Sequence, residues 1–137
     1  MQNIVLDTNS LIMSISAKGI YNRVWQGFLN YEYILCITNE IIEEYLEVMA
    51  RNINRHLAES IVYAILTREN IRKVDPHYHF RLIKSDEDDN KFVDCAIAAN
   101  ATYIVTEDHH FNVLKEISFP AIDVINIEEF IKVLNAE

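Results

Sequence analysis

The sequence predicts an α/β fold on a parallel sheet covered by helices on both faces, and three observations predict it. Short, wholly apolar runs recur along the chain and close on polar turns, as strands buried on both faces of a parallel sheet do. Between them lie longer stretches whose apolar residues recur with the helical period. With 137 residues, half of them apolar and only two glycines and two prolines, the chain suits one compact domain spanning 1–137.

The first strand is NIVL at 3–6, which runs into Asp7, Thr8, Asn9 and Ser10. That turn lacks the glycines that let phosphate approach a backbone closely. Its carboxylate is therefore either a helix cap or the beginning of a metal site. A helix is expected around 20–30, with Ile20, Val24, Trp25 and Phe28 on one side. YILCIT at 33–38 is the second strand, and Thr38 or Asn39 can cap the helix at about 40–51 that places Ile42, Tyr45, Leu46 and Met49 on one face. A further helix at 56–69 leads to the third strand, IRKV at 71–74, which Pro76 stops. After a polar connector with His77, His79, Arg81 and Lys84, the stretch from Asp86 begins a helix with acids at its N-terminal end, where the helix dipole favours negative charge. TYIVT at 102–106 is the fourth strand and Asp108 begins another turn into helix; AIDVI at 121–125 is the fifth strand, and 127–135 closes as a helix. Strands separated by helices imply the parallel sheet.

Twelve basic against 21 acidic residues give a net charge of −9, which excludes a protein that coats nucleic acid by bulk electrostatics. It does not exclude a nuclease, because a bound divalent cation reverses the local sign of a carboxylate cluster. Cys36 and Cys95 have apolar neighbours and no C-x-x-C spacing, so they are expected as buried free thiols of a reducing cytosol. No signal peptide and no apolar run of roughly 20 residues is present, so the expectation is a soluble, cytoplasmic protein without membrane contact.

In an open parallel sheet, ligands gather beyond the carboxyl ends of the strands. Asp7 ends the first strand, Glu43 or Glu44 lies in the helix after the second, Asp88 or Asp89 begins the helix before the fourth, and Asp108 follows the fourth. Carboxylates are hard oxygen ligands suited to Mg²⁺ or Mn²⁺. Gathered at one sheet edge they would repel one another and titrate as a coupled set, which is a poor device for stability. Helix phase alone leaves Glu43 and Glu44 equivalent.

VLDTNSLI, ITNEIIEEYLEV and DEDDNKFVDCAIAANATYIVTEDHHF resemble the successive motifs of PIN domains, specifically the VapC-like toxin components of bacterial toxin–antitoxin pairs. The resemblance covers nearly the whole chain. It implies a three-layer α/β/α fold with a five-stranded parallel sheet, and a ribonuclease dependent on Mg²⁺ or Mn²⁺. Position by position, the family's four acids fall on Asp7, Glu44, Asp89 and Asp108, with Asp88 as the alternate for Asp89 and Asp94 one turn further on. Asn9 and Thr106 match the polar residues that orient the first carboxylate. The implied chemistry is hydrolysis of an RNA phosphodiester by a metal-activated water, on a single strand or loop. The resemblance also implies a protein antitoxin and a homodimer.

His109, His110 and Lys91 are candidate contacts to substrate phosphate, against a helix cap for the histidines and a surface ion pair, the preferred reading, for Lys91, and Tyr21, Trp25 and Phe28 read as core or dimer interface. His77 and His79 have a spacing that could bind zinc but no nearby cysteine, so a solvated loop is the expectation. Two other functions compete. A phosphoacceptor regulatory domain needs an acidic pair after the first strand and a lysine after the fifth, and here stand a single Asp7 and Asn126. A catalytically inactive PIN module that docks RNA or a protein is opposed by the presence of all four acids.

Overall fold

The computed structural model describes residues 1–118 and 120–136. Five parallel strands form one sheet in the order β3-β2-β1-β4-β5. They are β1 (Asn3–Leu6), β2 (Ile34–Ile37), β3 (Ile71–Lys73), β4 (Tyr103–Val105) and β5 (Val124–Ile125). The helices are α1 (Thr8–Ile15), α2 (Asn22–Leu29), α3 (Asn39–Asn52), α4 (Arg55–Thr67), α5 (Asn90–Ala99) and α6 (Ile127–Asn135), with 3₁₀ segments at Glu87–Asp89 and His109–Glu116.

The central strands are apolar because both their faces are covered. Ile4, Val5, Leu35, Cys36, Ile37, Ile104 and Val105 are all fully buried. From β1 the chain winds outward through β2 to β3, then crosses to β4 and continues to β5. Right-handed crossovers in opposite directions put the helices on opposite faces, and α5 packs across β1, β2 and β4 while α1, α2 and α6 pack in series. The strand order reverses between β1 and β4, the switch point at which open α/β sheets bind ligands.

The expected strands and helices are present, with shorter bounds at several ends. Three details differ. Ile20 precedes α2 and is 81 % exposed, so that helix buries Val24, Trp25 and Phe28 without it. The buried stripe of α3 is Ile41, Tyr45 and Met49, with Ile42 and Leu46 at its margins. The helix expected after Asp108 is a 3₁₀ segment. Trp25, Phe28, Tyr33 and Phe130 make a continuous aromatic chain, with centroid spacings of 5.4, 6.2 and 5.1 Å, which settles Trp25 and Phe28 in the core. Cys36 and Cys95 are free and buried. Among the described residues no helix is long and apolar enough to cross a membrane.

Two side chains lock the segments that carry the acids. Tyr45 donates its hydroxyl to the Leu6 carbonyl at 2.6 Å and so fixes the rotation of α3 against β1. Asn90, buried at the start of α5, accepts from the Ile83 N–H at 2.9 Å and donates to the Ile83 carbonyl at 2.8 Å. The irregular connector before α5 is thereby tied to the helix. Asn90→Ala should destabilise the protein by roughly 2–4 kcal/mol in urea denaturation, since two buried backbone groups lose their partner.

Candidate active site

Asp7 sits where β1 becomes α1. It caps that helix, its Oδ1 accepting from the Ser10 N–H at 2.8 Å, while its backbone N–H donates to Val105 at 3.1 Å and ties it to the end of β4. Thr106, just past β4, donates its hydroxyl to Asp7 Oδ2 and accepts from the Asp108 N–H at 2.9 Å. One hydroxyl therefore sets the positions of two acids on adjacent strands. Asp7 is only 6 % exposed, and this burial, aided by the charge of Asp108, pushes its pKa up against the opposing bonds from Thr106 and Ser10.

Asp108 caps the 3₁₀ segment that follows, accepting from the His110 N–H at 2.9 Å. Asp86 caps the 3₁₀ turn Glu87–Asp89 in the same manner, and that turn delivers Asp89 half-buried into the site while Asp88 faces solvent. Burial pushes Asp89 up to about 7, with Asp108, Asp86 and Asp7 contributing by repulsion. One ligand atom from each of Asp86, Asp89, Asp108 and His110 lies within 4.8 Å of the others. Within this group Asp89 Oδ2 and His110 Nδ1 are buried without a hydrogen bond although only 3.6 Å apart. Buried polar atoms without partners are rare. Carboxylate oxygens with one imidazole suit a hard divalent ion such as Mg²⁺ or Mn²⁺, so the residues present fit a metal.

Asp7 and Glu44 lie outside this group, Asp7 being joined to it through Thr106. The two oxygens of Glu44 are taken by the Thr8 hydroxyl and by Lys91, whose ammonium is 2.6 Å away. The rotation fixed by Tyr45 turns Glu44 inward and leaves Glu43 exposed. Asp94 is turned elsewhere, accepting from the Phe80 N–H at 3.1 Å and facing His79 Nδ1 at 3.0 Å.

Several sequence candidates are therefore placed differently from expectation. Asn9 is exposed, and the bonds to the Asp7 side chain come from Ser10 and Thr106 instead. The histidine turned toward the acids is His110, 3.2 Å from Asp108, while His109 is exposed. Lys91 is in an ion pair, as expected, but with Glu44 in a partly buried setting and not at the surface. Asp86 was not among the candidates. Its signal was its place in the run DEDD, but nothing local distinguishes it from its neighbours.

A parallel sheet with acids converging at its switch point defines an α/β domain of the carboxylate-site class. The PIN domain family profile matches residues 3–110, and the chain belongs to the PIN domain family. Solved structures share the fold. VapBC2 from Rickettsia felis bound to a promoter DNA fragment is 18 % identical with a TM-score of 0.63, covering 90 % of this chain and 98 % of that one. DNA-bound VapBC from Salmonella typhimurium is 17 % identical with a TM-score of 0.62, covering 93 % and 99 %. Mycobacterium tuberculosis VapC20, a sarcin-ricin loop cleaving toxin, is 12 % identical with a TM-score of 0.59, covering 80 % and 92 %. Curated protein sequences give no match.

Proposed function

We propose that this chain is a divalent-metal-dependent endoribonuclease and the toxin of a toxin–antitoxin pair. The observation that carries the reading is the gathering of donor atoms from Asp86, Asp89, Asp108 and His110, with Asp89 Oδ2 and His110 Nδ1 buried and unpartnered among them and Thr106 linking Asp108 to Asp7 at the β1/β4 switch point. Membership of the PIN family supports nuclease chemistry. The likeness to VapC20, a toxin that cleaves the sarcin-ricin loop, supports an RNA loop or single strand as substrate.

Asp7, Asp89 and Asp108 would hold Mg²⁺ or Mn²⁺, with Asp86 and His110 at the edge of the site. A bound ion would supply an acidified water and charge on the phosphate oxygens. The chain's own part is positional. Thr106 and Ser10 hold Asp7 in one orientation, so the site is formed before substrate arrives. Burial pushes both cysteine thiols up, Cys36 to about 11, so neither offers a thiolate near neutral pH.

The VapBC complexes among the structural neighbours support a protein antitoxin as partner. The resemblance to VapC-like toxins is the support for a homodimer. Purified protein incubated with total RNA should cut it in Mn²⁺ or Mg²⁺ and leave it whole in EDTA, with cleavage ends mapped by sequencing. Intact RNA under every metal condition, or equal cutting in EDTA, would refute the reading.

A further inference from the structure

We infer that Lys91 supplies the second positive centre of this site. The chain would then work with one divalent ion and an ammonium where a two-metal nuclease carries a second ion. The inference rests on the nuclease reading above and assigns Glu44 a different task from metal ligation.

Two-metal sites hold their ions roughly 3.5–4 Å apart on carboxylates that bridge or flank them. A second ion here would need Glu44, and both its oxygens are engaged, by Lys91 at 2.6 Å and by Thr8. The donor atoms that do gather, from Asp86, Asp89, Asp108 and His110, exclude both Glu44 and Asp7, but Asp7 is tied to them through Thr106, which also holds the Asp108 N–H, whereas Glu44 is tied to Lys91. The site is thus divided into a metal end and an ammonium end.

The pair is built, not incidental. Lys91 and Glu44 are 10 % and 24 % exposed, whereas the pairs Arg51–Glu47 and Arg55–Glu59 lie on exposed helix faces. Glu44 is held in phase by Tyr45, and Lys91 follows Asn90, which anchors the start of α5. A partly buried ion pair contributes little net stability, because desolvation offsets the Coulomb gain. Function is the better reason for keeping an ammonium among so many carboxylates.

Lys91 also faces open space. It lines a groove of about 370 Å³ with Glu44 and Arg51, and a cavity of about 550 Å³ with Lys73 and His79. Neither space is lined by Asp7, Asp89 or Asp108, so a phosphodiester that reaches both ends would lie across Glu44 and Thr8, the residue next to Asp7, with a non-bridging oxygen against the ammonium. The bonding change is ordinary hydrolysis. Water oxygen bonds to phosphorus, the phosphorus–oxygen bond to the leaving ribose breaks, the water's proton passes to solvent and the leaving oxygen takes one up. Lys91 acts by charge and orientation alone.

Counting Mn²⁺ ions per chain tests this, using electron paramagnetic resonance of free Mn²⁺ during titration of the purified protein. Wild type should bind one ion, and Glu44→Gln should still bind one with affinity within about threefold. Lys91→Met should cleave RNA about 100-fold more slowly at saturating Mn²⁺, and Lys91→Arg should retain more activity than Lys91→Met. Release of Glu44 should let Lys91→Met take up a second, weaker ion. Should Lys91→Met fail to fold, Glu44→Gln and Lys91→Arg carry the test. Two ions in wild type falling to one in Glu44→Gln would overturn the inference, as would wild-type cleavage by Lys91→Met. A wild type that neither binds Mn²⁺ nor cuts RNA would refute the nuclease reading itself and remove the basis of this one.

Discussion

Asp7→Asn is expected to lower RNA cleavage by about 10³-fold or more while leaving the thermal midpoint unchanged or slightly raised. Such a loss corresponds to roughly 4 kcal/mol of transition-state stabilisation, within what a lost metal ligand can remove. The fold should tolerate the change because asparagine caps a helix as well as aspartate does. Its amide oxygen can keep the bond from the Ser10 N–H, and Thr106 can turn its hydroxyl to accept from the amide nitrogen. Removing the charge also relieves the burial that holds the Asp7 carboxyl above its ordinary range. Activity, circular dichroism and melting on one preparation separate the outcomes. A midpoint lowered in step with activity would show that Asp7 serves the helix start and nothing more.

The second large effect is on stability against pH. Asp89 sits near 7 in the folded chain and near 3.9 when unfolded, so between those values the folded state binds more protons than the unfolded one. Its contribution therefore favours folding at acid pH, declines as pH rises from about 4 to about 7, and is level above. Without metal, wild type should melt progressively below Asp89→Asn as pH rises through that window. The gap should reach roughly 3–6 °C at pH 8, after allowance for solvent screening. At pH 4 the two should coincide, and saturating Mn²⁺ should raise wild type above the variant. A gap that widens toward acid pH would mean that Asp89 is held by a favourable partner and not by repulsion among acids.

Most of the sheet was legible because buried parallel strands are continuous apolar runs, and NIVL, YILCIT and TYIVT leave little choice. The extent of α1 was harder to place, since TNSLIMSI mixes polar and apolar residues and has weak helix formers at half its positions. Place in the chain marked Asp7, Asp108, Asp88 or Asp89, and Glu43 or Glu44, and the family resemblance chose within the last two pairs. What sequence could not supply was rotation and tertiary reach. Glu44 is turned inward by a bond from Tyr45 to Leu6, across 39 positions of chain. Asp86 belongs to the site because Asn90 ties the connector at Ile83, a contact with no local pattern. His110, not His109, faces the acids because the segment after Asp108 winds as a 3₁₀ helix, with its own spacing of side chains.

Anomalous diffraction from crystals grown in Mn²⁺ is the most direct trial of the claim that these carboxylates form one metal pocket serving phosphodiester hydrolysis. The expected map has a single strong peak within about 2.4 Å of oxygens from Asp7, Asp89 and Asp108, with His110 at its edge. A map without a peak there at saturating Mn²⁺, or with the ion bound elsewhere on the surface, would contradict it.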